Sequence, residues 1–155
     1  MRVCLLVCSM VIGFGCDNNS DNNSEINKKE EPVPVEMEQR WRLTAIIEDG
    51  NALSIRENFL GLCFLSLKGD GTLEGYTGVN TLKGTYKADA TTGKFSLNFV
   101  QTELAAIDDE TDEFERLHTQ RLSKVTSYVS SKDKLELYYD NNSFLKYQSI
   151  EVEKK

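Results

Sequence analysis

Cysteine, proline, histidine and tryptophan are all scarce in this 155-residue chain, which has four Cys, two Pro, one His and one Trp. Three of the cysteines fall in the first sixteen residues, so Cys63 alone is left for a folded domain and no disulfide can form within it. A lone His118 excludes a paired-imidazole metal site, and a Cys–His catalytic pair would require two isolated residues to meet. The chain has no Gly-x-Ser-x-Gly elbow, no His-Glu-x-x-His helix and no phosphate-cradling glycine loop. Positive charge is also short. Against 25 Asp and Glu stand 18 Lys and Arg, a net charge of −7 and the wrong sign for gripping nucleic acid. No apolar run reaches the roughly 20 residues that a membrane-spanning helix needs. With 39% hydrophobic residues, what remains is one soluble-type domain of ordinary size.

What is present starts with residues 1–15, MRVCLLVCSMVIGFG: one positive charge at Arg2, then an apolar run from Val3 to Phe14. These are the proportions of a secretory signal peptide. Gly15-Cys16, followed by Asp17-Asn18-Asn19-Ser20, resembles a bacterial lipobox, in which the Cys is lipidated and becomes the mature N-terminus. Gly13 and Phe14 depart from that pattern. Cysteine usage agrees with it, because Cys4 and Cys8 leave with the leader and Cys16 carries the lipid. Two or more acyl chains suffice for stable anchoring, at about 0.8 kcal/mol per buried methylene.

Residues 16–38 are expected to be the lipidated Cys and a flexible acidic tether. From Asp17 to Glu38, seven acids against Lys28 and Lys29 give −5, and Pro32 and Pro34 disfavour regular structure. A leash of that length holds a domain on the order of 25 Å from its anchor. Asp17, Asn19 and Asp21 mimic the start of a calcium loop but lack its glycine and distal Glu.

Residues 39–155 carry the alternation of a sheet. Trp41, Leu43, Ala45 and Ile47 share one face of a first strand, and Cys63, Leu65 and Leu67 one face of a second. Gly69-Asp70-Gly71 turns into Leu73–Thr77, followed by Leu82–Lys87 and by Phe95, Leu97 and Phe99. Lys124–Ser130, Leu135–Tyr139 and Phe144–Val152 close the domain, with turns at Asp133-Lys134 and Asp140-Asn141-Asn142. The long connection Asp49–Gly61 reads as a loop. Asp108 to Leu122 is predicted to be the single helix, with Phe114, Leu117 and Leu122 inward and acids crowding its first turns, as the helix dipole favours. Asp108, Asp109, Asp112 and Glu113 read as that solvated first turn and not as a metal site. His118 reads as a helix-surface residue and Cys63 as a small buried hydrophobe. The expected fold is α+β: a curled antiparallel sheet, half-barrel or barrel-like, with one helix packed across it.

From Trp41 to Tyr147 the chain resembles the META domain (HslJ-like) family of bacterial envelope proteins. The resemblance lies in Trp41-Arg42-Leu43, in Gly75-Tyr76-Thr77-Gly78-Val79-Asn80 followed by Gly84-Thr85-Tyr86, in Thr102-Glu103-Leu104-Ala105-Ala106, in the acidic helix, and in Leu135-Glu136-Leu137. It implies a structural role for Trp41, Gly75, Gly78, Asn80, Gly84, Tyr86 and Thr102. The family's two cysteines are Val79 and Ala106 here, so a redox role is not expected. The resemblance further implies an envelope protein linked to stress and drug-tolerance responses, without enzymatic activity. Secretion pilotins, which hold acyl chains or peptides in an open half-barrel, have a similar fold.

The function these features predict is that of a non-enzymatic, lipid-anchored envelope protein, monomeric and without cofactor or metal. Its membrane contact is the lipid, at the outer membrane in preference to the inner. A groove lined by Trp41, Phe64, Leu97, Phe99 and Tyr138 would take a hydrophobic small molecule or an envelope protein. A lipocalin-like carrier, or an inhibitor of an extracytoplasmic enzyme acting through the Asp49–Gly61 connection, are the alternatives.

Overall fold

The computed structural model of the protein describes Pro34 and residues 37–104 and 108–150. The leader, Cys16, most of the tether, and Ala105 and Ala106 lie outside the described residues. Strands β1 (Arg40–Glu48), β2 (Asn51–Ala52), β3 (Phe64–Leu67), β4 (Thr72–Tyr76), β5 (Thr81–Ala88) and β6 (Phe95–Gln101) precede the helix α2 (Asp109–Leu122). The short helix α1 (Glu57–Leu62) lies between β2 and β3, and β7 (Ser127–Ser130), β8 (Lys134–Asp140) and β9 (Ser143–Ile150) follow α2. All pairings are antiparallel, in the order β6-β5-β4-β3-β1-β9-β8-β7, with β2 on the end of β1.

The connection expected as a loop therefore contains two elements. Asp49 (φ 48°) and Gly50 (φ 81°) both take positive φ, as a two-residue hairpin turn demands, and this returns the chain as β2. Phe59 of α1 then stacks on Phe114 of α2 at 5.3 Å between ring centres. Gly69-Asp70-Gly71 does make the predicted hairpin, with the Asp70 carboxylate accepting from the Thr72 N–H at 2.9 Å.

Alternation fails within β1. A bulge between Leu43 and Ala45 inserts a residue against β9, so Trp41, Leu43 and Ile46 are buried while Ala45 and Ile47 are only half-buried. The bulge bends the central strand, and the sheet curls until its two edge strands meet. Lys94 bridges Ser127, the Phe95 N–H donates to Thr126 O and the Tyr128 N–H to Gly93 O, both at 2.9 Å. Tyr86, Phe95 and Tyr128 pack their rings behind this seam. Beyond it the edges diverge, and α2 lies in the gap. Asp108 caps the helix by accepting from the Thr111 N–H, and Arg121 near its other end pairs with Glu48 of β1 at 2.5 Å.

The core begins earlier than the tether boundary at residue 38 suggests. Met37 is fully buried in the apolar cluster, and its carbonyl accepts from Trp41 Nε1 at 3.1 Å. Met37→Ala is expected to cost about 2 kcal/mol of unfolding free energy in a urea titration. A loss below about half a kcal/mol would place Met37 outside the cooperative core.

Candidate functional site

Two places bring the predicted residues together. The first lies under the N-terminal half of α2. Gly78, at φ 107°, turns the chain between β4 and β5. This turn carries Thr77 and Asn80 inward, where both are buried beside the buried Glu115 of α2. The Glu115 carboxylate accepts from the Thr77 hydroxyl, from the Asn80 N–H at 2.9 Å and from Asn80 Nδ2 at 2.8 Å. Asn80 Oδ1 accepts from the Thr102 hydroxyl at 2.9 Å and the Leu104 N–H at 2.7 Å, while Nδ2 also donates to Leu104 O at 3.4 Å. Every donor and acceptor of the Asn80 amide is thereby used within the protein. The cluster ties two segments of chain, Thr77–Asn80 and Thr102–Leu104, to one helix.

The remaining predicted structural residues lie in the sheet. Gly75 allows close strand approach, since a Cβ there would lie 2.7 Å from Phe64 O. At Gly84 the sheet coils so sharply that a Cβ would lie 2.0 Å from Asn98 O. The Tyr86 hydroxyl donates to Lys68 O at 2.8 Å.

Beside the cluster, a chain of rings crosses the mouth of the curled sheet. Phe114 stacks with His118 at 6.2 Å, and His118 Nε2 is hydrogen-bonded to the Tyr147 hydroxyl at 3.0 Å. His118 is fully buried, not on the helix surface, because α2 presents Phe114, Glu115, His118 and Leu122 to the interior. Its Nδ1 has no partner among the described residues. Burial pushes the imidazole down to about 4. Burial also raises the Cys63 thiol well above its ordinary value, with the Glu115 carboxylate adding to the effect. Tyr147 is raised by burial and then by Cys63.

The His118 shift has a sign that can be measured. Its folded value is depressed below the unfolded one, so the unfolded state takes up the proton first as pH falls, and stability is lost between the two values. Between pH 7 and pH 5 the loss is expected to be about 2 kcal/mol. His118 is the only histidine, so no other imidazole contributes in that window. Denaturant titrations of the wild type and of His118→Phe at both pH values provide the check, the variant losing most of the pH dependence. Equal slopes in the two proteins would overturn the assignment.

The second place is an open cleft of about 450 Å³ between the outer edge of β6 and α2, lined by Leu97, Asn98, Phe99, Gln101, Thr119, Gln120 and Ser123. Of the five residues predicted to line one groove, only Leu97 and Phe99 reach it, both half-buried. Trp41 is entirely inside the core. Phe64 alternates with the buried Leu65 and Leu67 and lies on the outer face, with the Arg40 guanidinium 3.6 Å above its ring and Tyr76 beside it. Tyr138 is likewise outside, against Phe144 and donating to Glu136. Thr119, Gln120 and Ser123, which complete the cleft, carry no apolar signal that a search for aromatic lining would detect.

The META domain profile matches residues 34–151. The chain belongs to the META domain family. This span takes in Met37, the first residue of the buried core. The META domain here is similar in fold to a DUF4847 family protein from Bacteroides vulgatus, at 14% identity and a TM-score of 0.61, covering 74% of this chain and 94% of that one. It is also similar to a protein from Burkholderia xenovorans, at 20% identity and a TM-score of 0.58, covering 86% of this chain and 99% of that one. No curated protein matches.

Proposed function

We propose that the chain is a monomeric, non-enzymatic envelope lipoprotein, anchored through lipid on Cys16 and binding a hydrophobic ligand or an envelope partner with its META domain. The observation that carries the binding half is the cleft between β6 and α2, where Leu97 and Phe99 sit at an opening with no charged side chain among the described residues that line it. Burial of the lone histidine and of Cys63 supports a non-catalytic reading, since neither group meets solvent to act on a substrate. The apolar leader ending in Gly15-Cys16, and the acidic stretch after it, support the anchored half.

Each half has its own test. In cells fed an alkyne analogue of palmitate, the wild-type chain is expected to incorporate label and Cys16→Ser to incorporate none. Equal labelling would remove the anchor from this reading. Native mass spectrometry of residues 34–155 prepared from envelope extract is expected to show an added mass that organic extraction or a competing partner removes. A bare domain with no envelope cross-links to the cleft would overturn the binding half.

A further inference from the structure

The free edge of β6 says what kind of molecule the cleft takes. In the β5–β6 ladder the hydrogen-bonded positions of β6 are the even ones, as Thr102 N–H donating to Thr81 O and Asp89 N–H donating to Lys94 O show at its two ends. The N–H and C=O groups of Phe95, Leu97, Phe99 and Gln101 therefore point away from β5. The Phe95 N–H is taken by Thr126 at the seam. The seam register carries β7 past Lys94 and Gly93, away from Leu97, and among the described residues the backbone groups of Leu97, Phe99 and Gln101 have no partner. Three donor–acceptor pairs, repeating about every 6.6 Å along the strand, thus line one wall of the cleft. Thr119, Gln120 and Ser123 form the other.

Exposed edges are normally blunted by lysine, proline or a bulge. From Phe95 to Thr102 β6 has no charged residue and no proline, and its pairing with β5 is regular. An acyl chain laid here would strip water from three N–H and three C=O groups without replacing their hydrogen bonds. A second copy would bring its own α2 against this one. A single extended polypeptide meets both demands, because its backbone pairs with the edge while its neutral side chains match the uncharged lining. We propose that β6 and α2 form a strand-addition site for an extended, uncharged segment of a partner protein, with apolar side chains at alternate positions packing on Leu97 and Phe99. This rests on the cleft being the binding site proposed above and names the class of its occupant.

The test uses the full-length chain in detergent and a pool of acetylated seven-residue peptides in which Thr alternates with Val, Leu, Ile or Phe. A second pool has the alternate amides that would face β6 N-methylated. The expected result is saturable binding of the first pool, with slowed exchange of the Leu97, Phe99 and Gln101 amides, and at least about tenfold weaker binding of the methylated pool. Gln101→Pro removes one outward N–H and no bond to β5. It is expected to weaken binding about fivefold, with an unchanged melting temperature showing that it folds. Equal affinity of the two pools, or no effect of Gln101→Pro, would overturn strand addition and leave a cleft that binds side chains only. Palmitate binding without peptide binding would overturn the inference and keep the ligand-binding reading. Dimerisation through β6 would replace the partner with a second copy and overturn it too. Binding of neither pool, palmitate nor a second copy would overturn both.

Discussion

Replacing Glu115 by alanine is expected to lower the free energy of unfolding by about 3 kcal/mol, a large fraction of a small domain's margin. The carboxylate accepts from the Thr77 hydroxyl and from the backbone and side-chain nitrogens of Asn80, all buried. Removing it strands one Nδ2 hydrogen of Asn80 and leaves the Thr77 hydroxyl and the Asn80 N–H only their local bonds to Asn80 O and Thr77 Oγ1. A buried donor left unpaired costs about 1–3 kcal/mol where water cannot enter. Part of that is recovered because α2 can admit solvent from its exposed side. Glu115→Gln retains one acceptor and turns an N–H toward Asn80, so it should fall between alanine and wild type. Glu113→Ala, two residues before Glu115 and on the exposed face, serves as the control. Urea titrations of the three variants decide the matter, and a Glu115→Ala loss no larger than that of Glu113→Ala would mean the cluster carries no net stability.

Gly84→Ala is expected to be at least as damaging, about 3 kcal/mol or more, for a different reason. The added methyl would lie 2.0 Å from Asn98 O and 2.7 Å from Phe99 Cα, and both are backbone, so no rotamer change relieves the overlap. β6 must move away from β5, which breaks the coil that brings Phe99 to the cleft. Loss of the folded form, or a melting temperature lowered by well over ten degrees, is the predicted outcome. By comparison Gly61→Ala meets nothing within 4 Å and should be neutral or mildly stabilising, being inside a helix. A Gly84→Ala protein as stable as Gly61→Ala would show that the coil at Gly84 is easily straightened.

The contrast between these two sites shows what the sequence makes readable. Alternation located the strands from β3 to β9 because most of them bury one face, and period-two patterning reports burial directly. It missed the shift in β1 because a bulge changes phase without leaving a compositional mark, so Ala45 and Ile47 looked as suitable as Ile46. The start of α2 was legible in Asp108 and the acids behind it. Its inner face was not, since Glu115 and His118 are polar residues carried inside by partners distant in sequence, Thr77, Asn80 and Tyr147. A signal existed: Phe114, His118, Leu122 and Val125 make a tighter stripe than one drawn through Leu117. The aromatic groove was over-assembled for a similar reason. Phe64 alternates with Leu65 and Leu67, and that phase alone puts its ring on the other face of the sheet. Gly75, Gly78, Asn80 and Thr102 were recognisable as a set, but their common partner on α2 was visible only in three dimensions.

The position of β1 bears on how the chain can fold as it is made. This strand has β3 on one side and β9 on the other, and Thr44 and Lys146, hydrogen-bonded across that second pairing, are 102 residues apart. Until the last strand has been synthesised, β1 keeps an open flank and the sheet cannot curl round to its seam. High sequence separation of this kind slows closure, and a nascent chain lacking β9 holds no complete core. Such a chain stays threadable while it is being made. A translocation channel that passes only unfolded polypeptide would accept it without help from an unfolding machine, and the final knot of contacts would be tied after the C-terminus has followed.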